Sequence, residues 1–97
     1  MNRLAIEIIK SKELEKEFEQ TVALVNNNKG KVNVSTLQLT NIYGLYKQAT
    51  YGDNNHEAPY TIQATAYAKW SAWNKYKGLK PSEAKRQYID YVKPILA

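Results

Sequence analysis

Two tyrosines and a lysine in the middle of the chain have the spacing needed to share one helix face. Tyr43, Tyr46 and Lys47 stand at positions i, i+3 and i+4, and residues three or four apart are neighbours on a helix. A phenol offers a ring for stacking and a hydroxyl for a phosphate oxygen, while an ammonium group is a compact charge for the same anion. The pattern therefore suits an aromatic base that carries a phosphate. The alternative is that both rings face the core and Lys47 is solvated.

A second group of candidates lies about 25 residues further on. Trp70 and Trp73 stand at i and i+3, and Lys69 is beside them. In a core this small, we expect the two indoles to form the central packing, with Lys69 at its rim, where it could meet an anion. The single histidine, His56, lies in a polar stretch without a second metal ligand or nucleophile nearby, and we interpret it as structural.

Composition narrows the classes of function. The chain has no cysteine, which excludes a thiolate nucleophile and a cysteine-based zinc site. It also lacks a glycine-rich phosphate loop, and the alternating glutamates at 13, 15, 17 and 19 read as a solvated helix face. An enzyme is therefore the least favoured class, and no cofactor is expected.

The charge is unevenly distributed along the 97 residues. Residues 1–59 hold seven basic and seven acidic side chains, whereas residues 60–97 hold seven basic and two acidic ones, so the net charge of +5 comes from the second part. Such a basic field suits an anionic partner such as nucleic acid, a lipid headgroup or a phosphorylated small molecule. With eight tyrosines able to stack on bases, a nucleic-acid-binding helical module is the rival interpretation.

Helical periodicity dominates the sequence, and no alternating strand pattern competes with it. One apolar stripe consists of Leu14, Phe18, Val22 and Val25, and the asparagine-rich segment 26–30 should end that helix. A capping box of Ser35 and Gln38 predicts the start of a second helix, which reaches about Tyr51. These spacings, with those of two later segments, predict an all-α fold of four helices.

The two later helices are less sharply bounded. The third should begin near Ala66 and end at Gly78, which leaves a long polar connection before it; connections of that length are usually functional or disordered. The fourth should begin at Pro81, and Pro94 should end or kink it.

Residues 1–12 precede the first apolar stripe, and Ile6 and Ile9 fall roughly opposite to it. We expect this segment to be an N-terminal extension, packed in its own way or meeting a protein or membrane partner, and residues 13–97 to be the domain. No run of 18 apolar residues occurs, and Glu7 interrupts the apolar stretch that a signal peptide would need. We therefore expect a cytoplasmic protein.

Three ordered blocks of the sequence resemble one known family. Residues 43–53 read YGLYKQATYGD, which closely resembles the pattern Tyr-x-x-Tyr-Lys-Gln-Ala-Thr-x-Gly-Asp of acyl-CoA-binding proteins. Residues 68–74 read AKWSAWN, similar to that family's Ala-Lys-Trp-Asp-Ala-Trp, and Glu83-Ala84 with Tyr88-Ile89 match its last helix. The resemblance covers about residues 14–97.

The resemblance implies a four-helix bundle of the acyl-CoA-binding-protein type. Such a protein carries medium- or long-chain fatty acyl-CoA and catalyses no reaction. The resemblance also implies a monomer in transient contact with membranes or acyl-CoA-using enzymes. Tyr43 and Lys47 resemble the pair that takes the 3′-phosphate, and Lys69 resembles the second cation. Tyr46 resembles the ring beside the adenine, and Tyr88 the last-helix tyrosine at the nucleotide end. The positions that align with the acyl groove are Leu39, Thr40 and Val22.

Some positions differ from the family pattern. Thr40 stands where a hydrophobic residue is usual, so the acyl groove should be less apolar or narrower. Thr65, Tyr67 and Asn26 stand where basic residues are common, which should affect the strength of phosphate binding rather than its location. Residues 1–12 have no counterpart in the minimal family domain.

Overall fold

The computed structural model describes residues 2–97, so Met1 of the predicted extension lies outside it. Four helices follow one another along the chain: α1 (Arg3–Asn27), α2 (Thr36–Tyr51), α3 (Ala64–Asn74) and α4 (Pro81–Leu96). No strand occurs within residues 2–97, and the predicted all-α, four-helix fold is confirmed.

The starts of the helices follow local chemistry. The Asn2 side chain accepts a hydrogen bond from the Ala5 N–H at 2.8 Å and so caps α1. The predicted capping box at the start of α2 is present in full, because Ser35 accepts from the Gln38 N–H while the Gln38 side chain accepts from the Ser35 N–H. Both devices satisfy amide groups that a helix leaves free in its first turn.

The predicted end of α3 was wrong, and of the two outcomes expected at Pro94, an end or a kink, the end does not occur. α3 begins two residues before Ala66 and ends at Asn74, because the Tyr76 N–H bonds to the Trp73 carbonyl and the Lys77 N–H to the Asn74 carbonyl. These i to i+3 bonds turn the chain through Gly78, whose φ is +93°. α4 continues past Pro94 to Leu96, since Ile95 and Leu96 pack against the core and hold the last turn in place.

α4 is the central element of the bundle. It packs against both α1 and α2, while α3 packs against α2. The buried core comes from α1, α2 and α4, and consists of Phe18, Ile42, Leu45, Ala49, Ala84, Tyr88, Ile89 and Val92. The ring of Phe18 meets the ring of Tyr88 edge-on, with 5.1 Å between centroids. One side of α2 is therefore fixed by packing against the core, and its opposite side lies between α1 and α3.

Gly44 sets the distance between α2 and α3. A Cβ atom at this position would lie 2.3 Å from the carbonyl oxygen of Ala72, a backbone atom of α3. Only glycine leaves room for so close an approach of two helix backbones. The two helices that carry the lysine candidates are thus held closer than any side chain at residue 44 would allow.

Ion pairs tie α1 to α4. Lys93 lies 2.8 Å and Arg86 3.4 Å from the carboxylate of Glu17, and Lys85 pairs with Glu15. The hydrogen bond from Lys93 and the positive charges of Lys93 and Arg86 lower the pKa of Glu17. Three of the seven basic side chains in residues 60–97 are therefore neutralised by α1, which leaves less of the basic field that favoured nucleic acid.

Candidate functional site

The connection between α2 and α3, residues 52–63, is held in place by polar side chains. Gln48 of α2 donates from Nε2 to the Asp53 carboxylate at 2.9 Å and to the Leu79 carbonyl at 2.7 Å. The same Asp53 oxygen accepts the Gly78 N–H at 2.8 Å. These bonds, that of Gly78 first and that of Gln48 second, lower the pKa of Asp53. The connection is ordered by the Gln and Asp of the 43–53 segment.

The tryptophans attach this connection to α3, and the prediction that they form the centre of the core was wrong. Trp73 is buried but lies outside the core cluster, and its indole N–H donates to the Gly52 carbonyl at 2.8 Å. Trp70 is half-buried and donates to the His56 carbonyl at 2.8 Å. An indole N–H that is buried must find an acceptor, and the carbonyls of the 52–63 connection supply it.

Tyr43, Lys47 and Lys69 meet at one cleft between α2 and α3. The ammonium nitrogens of Lys47 and Lys69 lie 5.9 Å and 5.6 Å from the centre of the Tyr43 ring. Lys47 also lies 4.3 Å from the centre of the Tyr51 ring and 4.8 Å from that of Trp73. Neither lysine forms a salt bridge with any residue of the described chain. We define this arrangement of Tyr43, Lys47 and Lys69 as the dual-lysine cleft.

The dual-lysine cleft has a volume of about 280 Å³. Its remaining lining comes from the 52–63 connection and α3: His56, Glu57, Pro59, Ala66, Trp70 and Trp73. The His56 ring lies 5.4 Å from the Trp73 ring, centre to centre. Sequence reasoning missed His56 as a cleft residue because its position depends on the Asn54 side chain, which accepts the His56 N–H at 2.9 Å and donates to the Trp70 carbonyl.

Tyr46 lies on the same face of α2 as Tyr43 but nearer to α1, where it lines a cavity of about 330 Å³. Val22 lines the same cavity, together with Phe18, Ala49, Thr50 and the Lys85–Glu15 pair. Tyr46 stacks on Phe18 with 6.2 Å between ring centres. Tyr88 lies beneath both rings and is 2% exposed, and burial, with the Tyr46 hydroxyl as the second cause, raises its pKa to about 12.

The remaining candidates are spread more widely. Leu39 is 53% exposed and lines an apolar cavity of about 310 Å³ with Val25, Val34 and Ile42. Thr40 is half-buried, and its hydroxyl donates to the Leu37 carbonyl of the preceding turn at 2.9 Å. Asn26 is exposed near the end of α1 and lines none of these three cavities.

Five of the nine predicted site residues therefore share one face of α2, at spacings of three or four residues: Leu39, Thr40, Tyr43, Tyr46 and Lys47. Val22 approaches this face from α1, and Lys69 approaches it from α3. The buried ring of Tyr88 packs against Tyr46 on the core side of this face, and Asn26 is exposed near the end of α1, outside it. The result is an open face with two cations at one edge, aromatic rings along its length and an apolar cavity at the end where α2 begins.

This arrangement can hold an amphiphilic anion. Two ammonium groups without carboxylate partners attract a phosphate, and phenol rings accept the flat face of a base. The cleft contains no nucleophile paired with a base. Within residues 2–97, no three His, Asp or Glu side chains are clustered so that they could hold a metal ion.

Comparison with known proteins identifies a class that has this fold. The family model described as Acyl CoA binding protein matches residues 15–92. Acyl-CoA-binding protein 2 of Saccharomyces pastorianus is 41% identical over 80 residues, which cover 82% of this chain and 90% of that protein. The acyl-CoA-binding protein of Saccharomyces cerevisiae is 39% identical over 80 residues, with the same coverage of both chains.

A solved structure agrees with these relatives. The crystal structure of Oryza sativa Acyl-CoA-Binding Protein 2 superposes with a TM-score of 0.80 at 31% identity, and the match covers 90% of this chain and 92% of that one. The chain therefore belongs to the acyl-CoA-binding protein family, and the resemblance noted from the sequence is confirmed. No helix within residues 2–97 has the length and apolar character needed to cross a membrane.

Proposed function

We propose that this protein binds long-chain fatty acyl-CoA esters non-covalently and carries them as a cytoplasmic pool. The observation that supports the proposal best is the dual-lysine cleft, in which two ammonium groups without salt-bridge partners flank one tyrosine ring. Family membership adds the ligand class, since the relatives are named for binding acyl-CoA.

In this proposal the 3′-phosphate lies at the dual-lysine cleft. Tyr43 donates its hydroxyl to a phosphate oxygen, and Lys47 and Lys69 supply two positive charges. A charge-assisted hydrogen bond of this kind contributes about 1.5 to 3 kcal/mol. An ammonium group held in place without its anion is penalised, so the cleft selects for a phosphorylated head over one that lacks the phosphate.

The base lies on the neighbouring side of α2, against Tyr46. Val22 lines that same cavity, so we assign Val22 to the base and not to the acyl groove for which it was first predicted. Tyr88 acts there as a buried support whose hydroxyl stays neutral at physiological pH.

The acyl chain follows α2 toward its first turn, past Thr40 to Leu39. The apolar cavity at that end, lined by Leu39, Val34 and Ile42 among others, removes methylene groups from water. Each buried methylene contributes about 0.8 kcal/mol, so burying some ten of them gives roughly 8 kcal/mol before the ordering costs are subtracted. The tail thus supplies most of the affinity and the phosphate supplies the selectivity.

Calorimetric titration with octanoyl-, dodecanoyl- and hexadecanoyl-CoA tests the proposal. We expect affinity to rise steeply with chain length, and we expect Leu39→Ser to reduce that dependence. Leu37→Ser is the matched control, because Leu37 is 69% exposed on the same helix but lines none of the three cavities. Affinity that is independent of chain length would contradict the assignment.

The proposal has three further parts. The protein works as a monomeric carrier and not as an enzyme, in transient contact with membranes or with enzymes that use acyl-CoA. We propose that residues 13–97 form the binding domain and that residues 1–12 are an addition to it. This division is supported by Leu14, the first residue of α1 that packs against the core.

A further inference from the structure

The N-terminal part of α1 carries apolar side chains that the bundle does not use. α1 begins at Arg3, although its first residue packed against the core is Leu14. Between them, Leu4 is 65% exposed, Ile8 is 48% exposed and Ile9 is 42% exposed, and Ile6 is exposed as well. Soluble surfaces rarely group large apolar residues in this way unless the group meets a partner.

The side of α1 that carries the apolar side chains changes at Leu14. The positions that continue the core stripe toward the N-terminus, four, seven and eleven residues before Leu14, are Lys10, Glu7 and Arg3. At about 100° per residue, the apolar side chains of the segment cover a broad arc centred opposite to these positions, with Ile8 and Ile9 near its middle and Leu4 and Ile6 at its two edges. The middle of this apolar arc is therefore directed away from the side of α1 that packs against the bundle.

We propose that residues 3–12 form an amphipathic docking helix that lies in the surface of an anionic lipid bilayer. The apolar face of this docking helix would enter the acyl boundary, as interfacial helices do, and its cations would meet the lipid headgroups. The proposal deepens the membrane contact included in the proposed function, but it stands on the surface of the docking helix alone and does not require acyl-CoA to be bound.

Charge complementarity supports a lipid surface as the occupant. The docking helix has three basic side chains and one acidic one. Glu7 is paired with Arg3 at 3.2 Å, whereas Lys10 and Lys12 form no salt bridge within residues 2–97. Of the acidic residues that follow, Glu15 and Glu17 are paired with cations of α4, whereas Glu13 and Glu19 form no salt bridge within residues 2–97. The docking helix thus has a net positive charge, with Lys10 on its polar face and Lys12 at the end of its apolar face, as interfacial helices on anionic lipid have.

The size of the apolar face argues against a second copy of the chain. A stable protein interface takes about 20 to 30 residues on each side, and the docking helix has ten residues, of which four are large and apolar. A bilayer has no such minimum, because an interfacial helix gains energy with each side chain that it buries. Binding of this kind is weak and reversible, which suits a carrier.

Co-sedimentation of the full chain with vesicles that contain no acyl-CoA tests the proposal. We expect the protein to bind phosphatidylcholine vesicles that contain about one-third phosphatidylserine, and to bind pure phosphatidylcholine at least fivefold more weakly. Ile6→Ser with Ile9→Ser should weaken binding at least tenfold. The matched control is Leu37→Ser with Ile62→Ser, which removes two large apolar side chains that are 69% and 91% exposed elsewhere, and it should bind like the unaltered chain.

A second pair of variants tests the charges. Lys10→Glu with Lys12→Glu should remove the preference for phosphatidylserine, whereas Lys29→Glu with Lys31→Glu, the same change of net charge in the α1–α2 connection, should retain most of it. Circular dichroism should show unchanged melting for all four variants, since none of the substituted residues belongs to the core.

Absence of vesicle binding, or equal losses in variants and controls, would overturn the proposal. A dimer in sedimentation velocity that Ile6→Ser with Ile9→Ser dissociates, together with no lipid binding, would assign the face to a second copy instead. Acyl-CoA titrations without vesicles report on the cleft alone, so failure of one proposal is distinguishable from failure of the other.

Discussion

Lys47 and Lys69, which lie on different helices, place their ammonium nitrogens at nearly equal distances from one ring, 5.9 Å and 5.6 Å from the centre of Tyr43. Two like charges beside one ring repel each other, and both the electron-rich ring and a bound anion reduce that repulsion. The ring offsets part of the repulsion, and a phosphate would offset more. The two positive charges of the dual-lysine cleft are thus in position to bind an anion in the ligand-free protein.

Removing either charge should weaken ligand binding with little effect on folding. We expect Lys47→Met and Lys69→Met each to lower the affinity for hexadecanoyl-CoA by about tenfold or more, since a charge-assisted bond contributes about 1.5 kcal/mol or more. Methionine keeps an apolar stem of similar length and loses only the ammonium group over Tyr51 and Trp73, a cation–π contribution of about 0.5 to 1 kcal/mol at an exposed site. Calorimetry gives the affinities, and Lys31→Met, an exposed site outside the cleft, serves as the control. Unchanged affinity in both variants would identify the lysines as merely solvated.

Gly44→Ala should separate α2 from α3. The new methyl group would overlap the carbonyl of Ala72, and overpacking of this kind costs about 1 to 3 kcal/mol of unfolding free energy. Because Lys47 and Lys69 lie on the two separated helices, binding of hexadecanoyl-CoA should weaken as well. Urea unfolding and calorimetry measure the two effects. A variant with the stability and affinity of the unaltered chain would show that the close contact between α2 and α3 at Gly44 is not needed.

Trp73→Ala should destabilise the fold, by about 3 to 5 kcal/mol for a buried indole. Trp73→Phe should cost much less, about 1 kcal/mol, which corresponds to the hydrogen bond donated to the Gly52 carbonyl. Urea unfolding of the two variants separates the packing of the ring from its N–H group. Equal losses in both would mean that the hydrogen bond, and not the ring, holds the 52–63 connection.

Stability should fall in acid partly through Asp53. Hydrogen bonds from Gly78 and Gln48 lower the pKa of Asp53 in the folded state, so the charged carboxylate favours folding above its ordinary pKa. This contribution is lost as the pH falls through the lowered value. Asp53→Asn should therefore be less stable at pH 7, with a difference that narrows toward pH 3. Urea unfolding at several pH values checks this, with Asp90→Asn as the control. A constant difference between the two proteins would contradict it.

Much of the fold could be predicted because it depends on local pattern. The stripe through Phe18 and Val22 and the capping box at Ser35 fix α1 and α2 without reference to distant residues. The end of α3 could not be predicted in this way, since the turns after Asn74 are shaped by Asp53, which accepts the Gly78 N–H from another part of the chain. The continuation of α4 past Pro94 could not be predicted from local sequence either, because the packing of Ile95 and Leu96 against the core overrides the helix-ending preference of proline.

The site was predictable along α2 and less so across helices. Spacing alone places Tyr43, Tyr46 and Lys47 on one face, but it does not show that Tyr46 turns toward α1 while the other two turn toward α3. The position of Trp73 was misjudged because a large indole is usually core, whereas here its N–H is needed by a loop carbonyl. The position of His56 at the cleft could not be predicted, because it depends on hydrogen bonds of the Asn54 side chain that no local sequence pattern indicates.

The most direct test of the dual-lysine cleft compares hexadecanoyl-CoA with its analogue that lacks the 3′-phosphate, by calorimetry on the unaltered chain and on Lys47→Met with Lys69→Met. We predict that loss of the phosphate weakens binding to the unaltered chain by about tenfold or more, and that the same loss has little effect on the double variant, because the phosphate and the two ammonium groups act on each other. Equal affinity of the unaltered chain for both ligands would contradict the account, as would an undiminished effect of the phosphate in the double variant.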